Sequence, residues 1–109
     1  MNYKVVYTVE FEKEIKRLSK KYPSLKSDFN GFIKEISQKP FSGIPLGNSC
    51  YKIRLAITSK SKGKSGGARI ITFVQVIMET IILISIYDKS ERTDISDAEI
   101  KNRIRKHLG

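Results

Sequence analysis

Apolar residues recur at helical spacing over the first forty positions and at strand spacing after residue 50. Phe11, Ile15, Leu18 and Tyr22 step by four, three and four, which sets them on one face of a helix. Thr8 stands where an N-cap belongs, and Pro23 closes the helix. Leu25, Phe29, Phe32, Ile33 and Ile36 repeat the stripe up to Pro40, so a second helix turns back on the first and the two stripes share one core. Before this hairpin, Tyr3 to Tyr7 reads as a short strand. After it, Phe41 to Cys50, with Gly43, Pro45 and Gly47, reads as a loop. From Tyr51 the period drops to two: Tyr51, Ile53, Leu55 and Ile57 face the helices, while Lys52 and Arg54 project from the open face of the sheet. Arg69 to Met78 and Thr80 to Tyr87 are β-branched runs separated by little more than Glu79, as in a hairpin of central strands. Ser96-Asp97-Ala98-Glu99 is a capping box that opens a last helix through Ile104 and Leu108. The order is β-α-α-β-β-β-α, an α+β fold.

Length and charge sharpen this picture. With 109 residues, 39% of them hydrophobic, residues 1–109 form one domain able to bury a core without disulfides or metal. The one Cys, Cys50, and the one His, His107, exclude a disulfide framework, a thiolate cluster and a two-histidine nuclease within one chain. A lone thiol and the lack of any signal-like or membrane-spanning run lead us to expect a cytoplasmic, soluble protein. The formal net charge is +10, and it is unevenly placed. Between Glu35 and Glu79 lie Lys39, Lys52, Arg54, Lys60, Lys62, Lys64 and Arg69 without one acid, so a polyanion is the expected partner rather than solvent alone.

Three of those lysines sit in a Gly/Ser/Lys loop from Ser59 to Gly67. It contains Gly63-Lys64-Ser65, the end of a P-loop pattern, but Thr58 stands where the first Gly is required and a strand follows instead of a helix. Nucleoside triphosphate binding is not expected. The amides of Gly63, Gly66 and Gly67 can still approach a phosphate closely, since glycine has no Cβ. Turn formation alone explains Gly66-Gly67, but not the interleaved lysines.

Tyr51-Lys52-Ile53-Arg54, then Lys60 through Ile71 with its Lys-Gly-Lys-Ser-Gly-Gly-Ala-Arg core, then Ile86-Tyr87-Asp88-Lys89-Ser90-Glu91 through Ser96 resemble the RelE/ParE toxin superfamily, most closely its HigB-like branch. The resemblance covers the whole chain in element order. It implies a small, twisted, mainly antiparallel sheet with a helical hairpin on one face, and a toxin of a type II toxin–antitoxin pair. RelE-like and HigB-like members cut messenger RNA on the ribosome. By resemblance, Lys52 and Arg54 hold the RNA backbone, Arg69 faces the scissile phosphate and Lys89 is a basic position beyond the last strand. Where RelE has a catalytic tyrosine before the final helix, this chain has Ile95, so either Tyr87 or a lysine moves the proton.

Cleavage with neither metal nor cofactor requires the RNA 2′-hydroxyl to attack the adjacent phosphorus. Fixed cations must meet the charge building on the phosphoryl oxygens, a task suited to the guanidinium groups of Arg54 or Arg69. One proton must leave the 2′-hydroxyl and another must reach the leaving oxygen. The expected catalytic set is Arg54, Arg69, Tyr87 and Lys89, with Lys52, Lys60, Lys62, Lys64, Gly66 and Gly67 binding RNA. Each has a plainer reading: Lys52 and Arg54 as solvent-facing residues of a half-exposed sheet, Arg69 as a solvent-facing strand start in a surface salt bridge, though with no acid between residues 36 and 78 its partner must come from afar, and Tyr87 as a core-edge residue with a wet hydroxyl. Glu91, Asp94, Asp97 and Glu99 surround a helix N-terminus, where carboxylates meet the helix dipole, and no metal is assigned to them. Expected partners are the ribosome and messenger RNA, and an acidic antitoxin protein in a hetero-oligomer. Two other functions fit the same fold: a ParE-like inhibitor of DNA gyrase acting by protein binding, and a basic RNA-binding module without catalysis.

Overall fold

Both helical stripes and the strand alternation recur in a computed structural model, which describes residues 2–60, 63 and 66–109. Strand β1 (Lys4–Tyr7) leads into α1 (Val9–Lys21) and α2 (Leu25–Gln38); β2 (Ile44–Gly47), β3 (Cys50–Leu55), β4 (Ala68–Gln75) and β5 (Thr80–Asp88) follow, and α3 (Asp97–Leu108) ends the chain. The strands form one sheet in the order β1-β5-β4-β3-β2, with β1 parallel to β5 and the other pairs antiparallel.

The caps act where the sequence places them. Thr8 Oγ1 accepts the Phe11 amide at 3.0 Å, and Ser96 Oγ accepts the Glu99 amide at 3.1 Å. Each satisfies a donor that the first helical turn leaves without an intrahelical partner. The α1 and α2 stripes close on Ala68, Ile70, Ile81, Leu83 and Ile86 of one sheet face, with Ile57 joining them. Capping and stripe together fix the hairpin's side of the sheet.

Residues 41–50 differ from the expected loop: Ile44–Gly47 is an edge strand, with Ile44 opposite Lys52 and Gly47 opposite Cys50. Pro45 and two glycines hide it locally, because a proline is tolerated at a sheet edge, where its missing N–H faces away from the ladder. The connection to β3 is the two-residue Asn48-Ser49, both at positive φ, 53° and 64°. A tight hairpin matching the strand twist requires that geometry. The β4–β5 connection is longer than the expected single residue, running over 76–79.

The face opposite the hairpin is not open throughout. Ile95, Ile100 and Ile104 pack with Cys50, Ile71, Ile82, Ile84 and Tyr87, so α3 and the segment before it cover part of that face. The register shifts after Ile71, leaving Ile84 as an extra residue in β5. Its carbonyl accepts Thr8 Oγ1 at 3.2 Å and Arg103 Nη1 at 3.1 Å. Arg103 also forms a bidentate pair with Glu14 at 3.0 Å and meets Glu99 at 2.6 Å, which ties α3 to α1 around the edge of the sheet. Beyond that cover, Lys52 and Arg54 of β3 keep exposure on this face, whereas Arg69 of β4 and Tyr87 of β5 beside them are buried.

Candidate active site

Arg54, Arg69 and Tyr87 stand in one row across three neighbouring strands, because Arg54 pairs with Arg69 and Arg69 with Tyr87. Directly paired residues share a face, so strand register alone gathers the three side chains. Two arginines directly opposite each other repel, an arrangement that an anion between them would relieve. Arg54 is exposed. Arg69 is only 5% exposed, contrary to the expectation of a solvent-facing strand start, and its Nη1 donates to the Ala68 carbonyl at 3.2 Å. It lies in a central strand beside the core, so its guanidinium is held rather than free to swing.

Tyr87 is 4% exposed and packs in the α3-side core instead of standing at its wet edge. Its hydroxyl donates to Asp94 Oδ1 at 3.4 Å, and the Arg92 guanidinium lies 6.0 Å from its ring centre. Burial, then the Asp94 charge, push the phenol's pKa up; Arg69 and Arg92 pull against this without reversing it. Tyr87 is therefore a proton donor at neutral pH rather than a phenolate base.

Lys52, two residues before Arg54 and so on the same face, reaches the same carboxylate, with Nζ 3.2 Å from Asp94 Oδ1. The Ile95 amide donates to Oδ1 as well, at 2.8 Å. That amide is the main reason the Asp94 carboxyl titrates below its ordinary value; burial opposes it and Lys52 adds to it. Asp94 thus links Lys52 to Tyr87. Sequence reasoning assigned Asp94 only to the helix N-terminus, since nothing local marks a partner 42 residues away.

Lys60 does not join this group. Its Nζ donates to Asp88 Oδ1 at 2.8 Å and to Ser90 Oγ at 3.3 Å, and its side chain is 9% exposed. Asp88 alternates with Tyr87 along β5 and so lies on the hairpin side of the sheet, fully buried, where Tyr22 Oη, the Ser90 amide and Ser90 Oγ also donate to it. Burial alone would raise the Asp88 pKa, but Lys60 and these donors outweigh it and hold the carboxyl well below the usual range. The signal was present in the strand period: an acid sharing the core-facing phase of Ile86 requires buried partners.

Lys89 is exposed just beyond β5, and its amide donates to the Gly67 carbonyl at 3.2 Å, which brings it beside the start of β4. Gly67 has a packing reason to be glycine: a Cβ there would collide with the Leu55 carbonyl oxygen. Gly66 is half-buried next to it. Lys62 and Lys64 lie outside the described residues. A groove of about 710 Å³ between α2 and β3, lined among others by Phe32, Ile36, Ile53 and Leu55, borders Lys52 and Arg54 but includes neither Arg69 nor Tyr87.

The family model described as the RelE toxin of the RelE/RelB toxin–antitoxin system matches residues 4–107. Among solved structures, a double arginine-to-alanine variant of Escherichia coli toxin RelE in the free state is 18% identical with a TM-score of 0.64, each chain covered in full. The RelBE toxin–antitoxin complex of E. coli is 20% identical with a TM-score of 0.61, over 79% of this chain and 95% of the other. A RelBE complex of Mycobacterium tuberculosis is 11% identical with a TM-score of 0.58, over 81% of this chain and 99% of that one. No curated protein sequence matches significantly.

Proposed function

Because the chain belongs to the RelE toxin family of toxin–antitoxin systems, we propose that it acts as a ribosome-dependent, metal-independent messenger RNA endonuclease that stops translation. The observation that carries this reading is the row of Arg54, Arg69 and Tyr87 across β3, β4 and β5, with Lys52 beside it. Arg69, immobilised by its neighbours, and Arg54, exposed beside it, meet the negative charge that develops on a phosphoryl group in transit. Preorganisation matters here, because a cation already in place need not reorient during the reaction. Tyr87, kept protonated by its surroundings, supplies a proton to the leaving 5′-oxygen. The ribosome contributes what a small basic face cannot, alignment of the 2′-hydroxyl in line with the phosphate.

Lys89 holds the RNA backbone beside the cut in this reading, and Lys62 and Lys64 add positive charge for RNA binding. Lys60 is left out, its charge being spent on Asp88. The partner that restrains the toxin is an acidic antitoxin segment covering Arg54, Arg69 and Lys89, and the place of action is the cytoplasm, where translation occurs. No helix among the described residues is long and apolar enough to cross a membrane.

The test is brief induction in cells without antitoxin, with 5′ ends of messenger RNA mapped in the presence and absence of a translation inhibitor. New 5′-hydroxyl ends that vanish when ribosomes are cleared from the message are the expected result. Replication arrest that precedes any loss of messenger RNA would replace this reading with gyrase inhibition. Ribosome binding without cleavage would leave a non-catalytic RNA-binding module.

A further inference from the structure

The proton acceptor for the 2′-hydroxyl is open in the reading above, and Asp94 is the carboxylate that touches two members of the site. Its Oδ1 takes Lys52 Nζ at 3.2 Å, Tyr87 Oη at 3.4 Å and the Ile95 amide at 2.8 Å. Every hydrogen bond described for this side chain runs to Oδ1, so among the described residues Oδ2 is open, on a side chain 62% exposed. We propose that Asp94 is the general base of the cleavage reaction and Tyr87 its general acid, joined into one proton circuit by their mutual hydrogen bond. The inference rests on the nuclease reading.

The step balances without any further reagent. Asp94 Oδ2 takes the proton of the 2′-hydroxyl as the 2′-oxygen forms its bond to phosphorus. The bond from phosphorus to the 5′-oxygen breaks, and Tyr87 Oη gives its proton to that oxygen. The products are a 2′,3′-cyclic phosphate and a 5′-hydroxyl, with Asp94 protonated and Tyr87 as phenolate. The protonated carboxyl then turns about its Cβ–Cγ bond to bring the Oδ2 proton to the Tyr87 oxygen, and transfer of that proton from the stronger acid to the phenolate restores both. Lys52 and the arginines at positions 54 and 69 take no part in the proton transfers and hold the phosphoryl oxygens.

Asp94 is a weak base in the resting site, where the Ile95 amide and Lys52 stabilise its charge. An arriving phosphate competes for Lys52 and adds negative charge nearby, and both effects raise the carboxylate's affinity for a proton. The base thus strengthens when substrate is present.

Asp94→Asn keeps an oxygen that can accept from Lys52, Tyr87 and Ile95 but removes the basicity, so it separates chemistry from scaffolding. With ribosomes programmed with a defined message and toxin in excess, its single-turnover cleavage rate should fall by about a hundredfold or more. Ribosome affinity and thermal midpoint should stay near those of the unaltered protein. Asp94→Glu should recover part of the rate, and Asp97→Asn, which removes a neighbouring charge at the start of α3, should cut normally. A message carrying sulfur in place of the 5′-bridging oxygen at the cut site has a leaving group that needs no proton. It should rescue Tyr87→Phe and leave Asp94→Asn slow.

Normal or faster cutting by Asp94→Asn would overturn the proposal, since the carboxylate would then only occupy the place of a phosphate. Rescue of Asp94→Asn by the sulfur substrate would overturn it too, by placing Asp94 behind Tyr87 rather than at the 2′-hydroxyl. If the unaltered toxin cuts no message on the ribosome, the nuclease reading itself fails, a result distinct from either outcome.

Discussion

Arg69 and Asp88 are both buried charges in adjacent strands, yet they face opposite sides of the sheet and do different work. Arg69→Ala should lower cleavage about a hundredfold, the loss of roughly 3 kcal/mol of transition-state stabilisation expected when a preorganised charge donor is removed. Because the side chain is 5% exposed rather than solvent-facing, the same change should also reduce stability, by about 1–2 kcal/mol. Denaturant unfolding beside a cleavage assay separates the two effects. Asp88 instead ties the hairpin core to the turn before the basic loop, through Tyr22, Lys60 and Ser90. Its carboxyl is more acidic folded than unfolded, so the stabilisation it gives is complete above the unfolded value near pH 4 and is lost as pH falls below that. Asp88→Asn should cost about 3 kcal/mol at pH 7 and flatten the acid side of the stability profile, measured by urea unfolding from pH 7 down to pH 3.

Among the elements, β2 and α3 owe the most to contacts distant in sequence. The β2–β3 turn places Ser49 at φ 64°, a conformation that costs an ordinary L-residue roughly 1 kcal/mol and glycine almost nothing. Ser49→Gly should therefore raise the thermal midpoint, by the equivalent of about 1 kcal/mol, without changing activity. No gain would argue that the tight turn is absent. Helix α3 carries few buried apolar residues, Ile100 with Ile104 partly covered, and is anchored by Arg103 to Glu14, Glu99 and the bulge carbonyl of Ile84. Arg103→Ala leaves the half-buried Glu14 carboxylate without its bidentate partner. It should cost about 3 kcal/mol and sharply raise hydrogen exchange in α3 relative to the central strands.

At the scale of the molecule, charge governs encounter and packing governs lifetime. With Lys60 engaged by Asp88, about four to six cations remain for RNA phosphates, and ribosome affinity should fall with salt at a log–log slope of about −3 to −5. A flat response measured by sedimentation at increasing potassium chloride would remove the polyanion argument. A net charge of +10 should likewise make association with an acidic antitoxin fast and salt-sensitive. Co-expression with the adjacent reading frame and purification through a tag on one chain should yield a complex that no longer cleaves.

What the sequence determined by itself is what short-range physics controls. The stripes of α1 and α2, the caps at Thr8 and Ser96, the alternation in β3 and the acid-free basic run are set by residues within a few positions of one another. The motifs around Lys52, Arg69 and Tyr87 carried the family resemblance for the same reason. Only the tertiary structure decided which charges meet. Lys60 and Lys52 look alike in the chain, yet one, in the turn after β3, reaches Asp88 on the hairpin side and the other, in β3, reaches Asp94 on the site side, because the sheet face each side chain approaches chooses the partner. The burial of Arg69, the edge pairing of Ile44–Gly47 and the hydrogen bond from Tyr87 to Asp94 follow from the same cause. Each depends on which backbones lie side by side in the folded sheet, and no window of local sequence encodes that.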